Sequence, residues 1–157
     1  MRRKRPVYPD RRSCAHERRS LRWSDADILG LGKLLATLRS DVTYPGDPGG
    51  ALHKSWRQLC PVTTPHTRDL DWIPMVARAK WVAITRDRHI QDHRAELAAV
   101  RDHGLRLVAL SAPEARTTWE QLEVVMCQWR AIEALVDQEG PLLRVASRTS
   151  LRPVPLA

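Results

Sequence analysis

The chain has 157 residues, 43% of them hydrophobic, which is enough for one compact domain with a real core and excludes a disordered protein. Its formal net charge of +8 comes mostly from residues 1–22, where nine Lys or Arg residues are opposed only by Asp10 and Glu17. The rest of the chain is nearly neutral, so the basic charge belongs to an N-terminal extension.

Cysteine usage and hydropathy predict a cytoplasmic protein that has no membrane partner. Cys14, Cys60 and Cys127 form no Cys-x-x-Cys pair, so neither a disulfide framework nor a zinc ribbon is indicated. No apolar run approaches the roughly 18 residues of a membrane span. The basic start is not followed by the apolar core of a signal peptide.

The chain divides into a basic disordered extension, residues 1–20, and a single domain, residues 21–153. The extension is an arm that binds nucleic acid, an unstructured segment, or the result of a misassigned start of translation. The domain opens with a short strand at Leu21–Ser24 and an acidic turn at Asp25–Asp27. A helix is predicted next, with one apolar face formed by Ile28, Leu31, Leu34, Leu35 and Leu38.

A second short strand is predicted at Asp41–Tyr44, followed by a long connection. Residues 45–68 contain prolines, glycines and scattered polar groups without a clear period, which is typical of a lid or binding loop. Asp69 and Asp71 then offer an N-cap to a helix whose apolar residues include Ile73 and Val76.

The central element is the run Trp81–Thr85, whose apolar and β-branched residues predict a strand buried on both faces of a parallel sheet. Charged residues begin directly after it, at Arg86 and Asp87. Open α/β sheets bind their ligands at this carboxyl end of the strands.

The remaining pattern continues the alternation of helices and strands. It predicts a helix at Asp92–His103 with Gly104 as its C-cap, and a strand at Leu105–Leu110. An amphipathic helix follows at Glu114–Asp137, with Cys127 on its inner half and an apolar face formed by Leu122, Val125, Met126, Trp129, Ile132 and Val136. An edge strand at Leu142–Ala146 and a fraying tail with Pro153 and Pro155 are predicted after it. The fold class is therefore α/β, with a mainly parallel central sheet covered by helices on both faces.

Acidic side chains are predicted to converge at one edge of this sheet. The turns after the first strand and after the central strand would bring Asp25 and Asp27 near Asp87, and the start of a helix would deliver Asp69 or Asp71. Clustered carboxylates repel one another, and a hard cation such as Mg²⁺ or Mn²⁺ relieves that repulsion. A metal site that activates water toward a phosphodiester is the chemistry this pattern favours.

Basic side chains surround Asp87 in the sequence. Arg86, Arg88, His89, His93 and Arg94 are candidates for binding the phosphates of a substrate, although a solvated strand end and helix face would have the same composition. His89 and His93 have the i, i+4 spacing of a zinc pair, but Gln91 replaces the glutamate of the zinc-protease motif.

Three motifs together resemble the PIN-like nuclease domains, in particular the VapC-type branch found in bacteria. They are D-A-D at Asp25–Asp27, D-x-x-W-I-P at Asp69–Pro74 and W-V-x-I-T-R-D-x-x-I at Trp81–Ile90. The resemblance implies a three-layer α/β/α fold and a divalent-metal ribonuclease that uses Asp25, Asp69 and Asp87. The chain departs from the family pattern because residues 45–68 contain no glutamate and only one acid, Asp47.

The function hypothesis is therefore a metal-dependent endoribonuclease that hydrolyses RNA phosphodiesters with Mg²⁺ or Mn²⁺. Two alternatives stay open. One is a catalytically degenerate PIN-like module that binds nucleic acid or protein, and the other is a haloacid-dehalogenase-like phosphatase, which also places D-x-D after a strand. The partners considered are RNA, an antitoxin protein and a second copy of the chain.

Overall fold

The protein is described by a computed structural model that covers residues 22–24, 26–86 and 93–156, with backbone only for residues 22–24 and Ala112. The predicted extension at residues 1–20 lies outside the described residues. The helices are α1 (Leu29–Leu38), α2 (Asp69–Arg78), α3 (Arg94–His103) and α4 (Thr118–Ala134). The strands are β1 (Arg22–Ser24), β2 (Val42–Thr43), β3 (Gly50–Leu52), β4 (Ser55–Arg57), β5 (Val82–Thr85), β6 (Arg106–Leu110), β7 (Leu142–Ala146) and β8 (Leu151–Val154).

Six of these strands form one mainly parallel sheet in the order β2-β1-β5-β6-β7-β8. All neighbours pair in parallel except β7 and β8, which are antiparallel. The order confirms that the run before Arg86 is a central strand, since β5 has two strands on one side and three on the other. Strands β3 and β4 form a separate antiparallel hairpin.

Helices cover both faces of the sheet, so the predicted α/β class with a mainly parallel sheet is confirmed. One core cluster joins Trp72, Ile73 and Val76 of α2 and Val100 of α3 to the strands. The other cluster joins α1 and α4 to the opposite face of the sheet. Alternate residues of β5 enter the two clusters: Ala83 lies in the first, and Val82 and Ile84 lie in the second.

Local sequence signals account for several element ends. Gly104 ends α3 with a positive φ of 69°, as predicted for a C-cap glycine. Thr117 begins α4 through a capping box, in which its Oγ1 accepts from the Glu120 backbone N–H at 3.2 Å while the Thr117 N–H donates to the Glu120 carboxylate at 2.9 Å. The backbone N–H groups of Thr117 and, at 2.9 Å, of Arg116 both donate to the ionised carboxylate and lower the pKa of Glu120.

The structure corrects two expectations about backbone elements. The predicted long connection at residues 45–68 contains the β3–β4 hairpin. The tail does not fray at Pro153, because β8 pairs with β7 and places Pro153 opposite Arg144. A proline is compatible with this position because β8 is an edge strand, whose outer side needs no ladder donor.

The inner face of the last helix was predicted correctly at Val125 and Ile132 but incorrectly at Met126 and Cys127. Met126 is 59% exposed and Cys127 is exposed, whereas Val124, Val125 and Ile132 are buried. In α1, Leu34 and Leu38 are likewise exposed while Leu31 and Leu35 are buried. Among the described residues, no helix combines the length and the apolar character that a membrane span needs.

Candidate functional site at the carboxyl edge of the sheet

The carboxyl ends of β1 and β5 lie side by side. The two strands pair in parallel, with Ser24 in register with Ile84. From β1 the chain continues to β2 on one side of the sheet, and from β5 it continues to β6 on the other. Such a reversal of strand order opens a crevice above the strand ends, where open α/β sheets bind ligands. Asp25 follows the first of these ends and Asp87 follows the second, and both aspartates lie outside the described residues.

Helix α2 brings Asp69 to the same edge. The helix leads through residues 79–81 directly into β5, so it runs antiparallel to that strand and begins at the strand's carboxyl end. Asp69 is the first residue of α2, not its N-cap as predicted; Arg68 occupies the cap position, and no side chain caps the helix. The carboxylate of Asp69 is thereby available for another contact.

That contact is a hydrogen bond from the core. The indole N–H of Trp72 donates to Oδ1 of Asp69 at 2.8 Å, and Trp72 is only 1% exposed. The bond fixes the orientation of the carboxylate, since Trp72 is held by the packing between α2 and the sheet. No other hydrogen-bond partner of Asp69 is found in the described part of the chain, so Oδ2 can serve as a ligand.

We expect the Trp72→Phe variant to bind Mn²⁺ about tenfold more weakly than the wild-type chain, because hydrogen bonds that orient a metal ligand contribute 10- to 100-fold to affinity. Electron paramagnetic resonance during a Mn²⁺ titration measures this change. Trp81→Phe is the matched control, because Trp81 is also buried in the same cluster, whereas the indole hydrogen bond to Asp69 comes from Trp72. Equal losses of affinity in the two variants would show that Trp72 acts through packing alone.

Asp71 and Asp27 have different surroundings from Asp69. Asp71 is exposed, and its Oδ2 accepts from Nε of Arg68 at 3.0 Å, which raises the pKa of the Arg68 guanidinium. Asp27 is exposed in the 3₁₀ turn Ala26–Ile28 that follows β1. Asp69 thus differs from Asp71, because its carboxylate is bonded to a buried tryptophan and that of Asp71 to an exposed arginine.

The first turns of α2 and α3 border an open cleft of about 410 Å³ lined by Arg68, Asp69, Leu70 and Glu96. The side chain of Glu96 is only 17% exposed, and its Oε2 lies 3.1 Å from Nδ1 of His93. The sequence did not single out Glu96 as a site residue. Its proximity to Asp69 depends on the packing of α2 against α3, which is not visible in the sequence.

The predicted phosphate-binding residues are only partly described. Arg86 leaves the end of β5, and its Nη1 donates to the backbone carbonyl of Arg116 at 2.9 Å, just before the capping box of α4. His93 and Arg94 are exposed at the start of α3. Arg88 and His89 lie outside the described residues. The described basic side chains therefore border the same edge as Asp69.

The described side chains alone do not complete a metal centre. Over residues 26–86 and 93–156, no three His, Cys, Asp or Glu side chains lie close enough to hold one ion. Asp69 itself fits such a site, since it offers a carboxylate oxygen, the donor that Mg²⁺ and Mn²⁺ prefer. The other two predicted ligands, Asp25 and Asp87, are outside the described residues.

Comparison with known proteins gives one match. Residues 48–112 match the model of a family described as a PIN like domain. No curated protein and no solved structure matched the chain significantly. The matched segment contains the hairpin, α2, β5, α3 and β6, but not β1. The match therefore supports a PIN-like domain in this chain, with the start of α2 and the end of β5 inside the matched segment.

Proposed function

We propose that the protein is a divalent-metal-dependent endoribonuclease of the PIN-like, VapC type. The observation that carries the proposal is the geometry of one edge: the ends of β1 and β5 are adjacent, and α2 presents Asp69 there on a hydrogen bond from buried Trp72. The residues that directly follow these ends in the chain include Asp25 and Asp87. These observations support the proposal that Asp25, Asp69 and Asp87, which are far apart in the chain, share one site.

In this mechanism Asp25, Asp69 and Asp87 hold one Mg²⁺ or Mn²⁺ ion. When bound, the ion supplies Lewis acidity toward the attacking water and the scissile phosphate. Trp72 keeps the carboxylate of Asp69 in one orientation, so that little reorganisation is needed when the ion binds. Asp27 remains a candidate for an outer position around the ion, whereas the ion pair of Asp71 with Arg68 favours Asp69, and not Asp71, as the ligand from α2.

Basic side chains at this edge bind the RNA backbone. Arg86 is held toward the start of α4 by its bond to Arg116, and His93 and Arg94 are exposed at the start of α3. Together with Arg88 and His89 they provide the positive charge that a phosphodiester chain requires. Phosphate contacts of this kind position a substrate without reading its sequence.

The biological setting is part of the proposal. A VapC-type nuclease is the toxin of a toxin-antitoxin pair, so we propose an antitoxin protein as a partner, a homodimer as the assembly, and the reducing cytoplasm as the location. The match of residues 48–112 to a PIN-like domain favours this reading over a haloacid-dehalogenase-like phosphatase.

The test is cleavage of a labelled single-stranded RNA by the full chain with Mg²⁺, Mn²⁺ or EDTA. We expect cleavage with either metal, no cleavage in EDTA, and no cleavage by a folded Asp87→Asn variant. If the wild-type chain instead hydrolyses a phosphomonoester and spares RNA, it is a phosphatase. If it binds RNA without cleaving it, and metal leaves its melting temperature unchanged, it is a degenerate binding module.

A further inference from the structure

The β3–β4 hairpin presents an uncovered tryptophan. Ala51 and Trp56 are cross-strand partners and point to one face of the hairpin, while Leu52, Ser55 and Arg57 alternate with them and are partly buried. Trp56 is 71% exposed, although tryptophan is usually among the more buried residue types. Its partner Ala51 is too small to cover the indole ring, so an aromatic face is open to a ligand.

A buried ion pair fixes this hairpin to the sheet. Asp47 is fully buried and pairs with Arg57 of β4, and it also accepts from Oγ1 of Thr43 at 3.1 Å and from the backbone N–H of Gly49 at 2.8 Å. Arg57 donates in addition to the carbonyl of Val42 at 3.1 Å. Trp56 therefore lies on a hairpin that these bonds hold against the sheet.

The hairpin is anchored to a strand that lies two positions from β5 in the sheet. Val42 and Thr43 form β2, which is the neighbour of β1, and β1 is the neighbour of β5. Through β1, Val42 and Thr43 are in register with Val82 and Ala83, two to three residues before the end of β5. With strands about 4.8 Å apart and a rise of about 3.3 Å per residue, the anchor of the hairpin is roughly 12–14 Å from the end of β5. An extended substrate strand bound at Asp69 can reach that distance.

The charge of this segment suits a polyanion. Residues 48–68 contain no Asp or Glu. The charge of Arg57 is balanced by Asp47 and that of Arg68 by Asp71, whereas the exposed Lys54 at the hairpin tip has no ion-pair partner among the described residues. An exposed aromatic ring beside an unbalanced lysine is the combination that binds single-stranded nucleic acid, in which bases stack on the ring and phosphates contact the cation.

We infer that the hairpin is a stacking platform for one unpaired base of a single-stranded RNA, with Trp56 against the base and Lys54 near a phosphate. The inference rests on the proposed function and narrows its substrate to RNA that is unpaired at this position. A base inside a duplex is stacked on its neighbours, so its face is not available to Trp56.

The test is fluorescence anisotropy of a labelled single-stranded RNA and a labelled RNA duplex with the full chain in EDTA, which prevents metal-dependent cleavage. We expect Trp56→Ala to raise the Kd for the single strand about tenfold or more, since stacking on an aromatic side chain contributes on that scale. Trp56→Phe should recover most of the affinity. Duplex binding should not change.

Trp119→Ala is the matched control. Trp119 is 69% exposed, but its indole N–H donates to Glu123 at 3.2 Å on the acidic first turns of α4. We expect this variant to bind RNA as the wild-type chain does. The inference is overturned if Trp56→Ala binds the single strand as tightly as the wild-type chain, and Trp56 would then be a candidate for contact with a protein. It is also overturned if Trp119→Ala weakens binding of the single strand as much as Trp56→Ala does, or if Trp56→Ala weakens duplex binding equally.

The two proposals fail separately. If RNA is cleaved with Mg²⁺ but Trp56→Ala binds normally, the nuclease stands and the platform does not. If neither Mg²⁺ nor Mn²⁺ leads to cleavage of the single strand, but Trp56→Ala weakens its binding, the stacking platform is supported and the nuclease proposal is wrong.

Discussion

The Asp69→Asn variant should lose more than about 100-fold of the metal-dependent RNA cleavage while remaining folded. An amide oxygen is a weaker and neutral ligand, and the loss of a direct ligand should exceed the 10- to 100-fold effects known for groups that only orient ligands. The hydrogen bond from Trp72 can still be accepted by the amide oxygen, so the packing of α2 should not change. Initial cleavage rates over a range of Mg²⁺ concentrations measure the effect.

Asp71→Asn is the control for Asp69→Asn, because both residues lie in the first turn of α2 but Asp71 is exposed and paired with Arg68. We expect cleavage within about twofold of wild type, since an exposed ion pair contributes only about 0–1 kcal/mol. The assignment of Asp69 is wrong if Asp71→Asn is the inactive variant and Asp69→Asn is not.

The Asp47→Asn variant should have the largest effect on stability. Removing one partner of a buried ion pair leaves an uncompensated charge, here on Arg57, and costs about 3–5 kcal/mol. For a domain of this size, a loss of about 3 kcal/mol lowers the melting temperature by roughly 10 °C. Thermal unfolding followed by circular dichroism and urea unfolding provide the two measurements.

Asp102→Asn is the comparison for that loss. Asp102 pairs with Arg101 on the surface of α3, where its side chain is 62% exposed. We expect the free energy of unfolding of the Asp102→Asn variant to differ from that of the wild-type chain by no more than about 0.5 kcal/mol. If Asp47→Asn is as stable as Asp102→Asn, the hairpin is not fixed by the ion pair, and its position against the sheet would need another cause.

The elements that could be predicted from sequence are those with a strong local signal. The run before Arg86 is apolar and β-branched, so it forms β5 in the middle of the sheet. Gly104 ends α3 because few other residues adopt a positive φ there without strain. These predictions needed only the residues of the element itself.

Other elements depend on contacts that are distant in sequence. The β3–β4 hairpin has no regular apolar alternation, and it is anchored by Asp47 and Arg57, whose pairing no local pattern reveals. The exposure of Met126 was missed because a repeat of three or four residues does not define which side of a long helix faces the sheet. Pro153 suggested a free tail, but an edge strand accepts it.

The candidate site could be predicted only in part, because some of its contacts join residues that are distant in sequence. The motif around Asp69 indicated a functional aspartate, yet its expected role as an N-cap was wrong, and its bond to Trp72 became visible only with the helix in place. Glu96 enters the cleft with Asp69 through the packing of α2 on α3, so a motif within one helix could not identify it.

The central claim is that Asp25, Asp69 and Asp87 share one divalent cation, and direct titration with Mn²⁺ tests it most closely. Electron paramagnetic resonance gives the affinity and the number of bound ions for the wild-type chain and for the three single Asp→Asn variants. The account predicts one tightly bound ion in the wild-type chain and an affinity at least about tenfold weaker in each variant. It is contradicted if the wild-type chain binds no ion, or if any of the three variants binds Mn²⁺ as tightly as the wild-type chain.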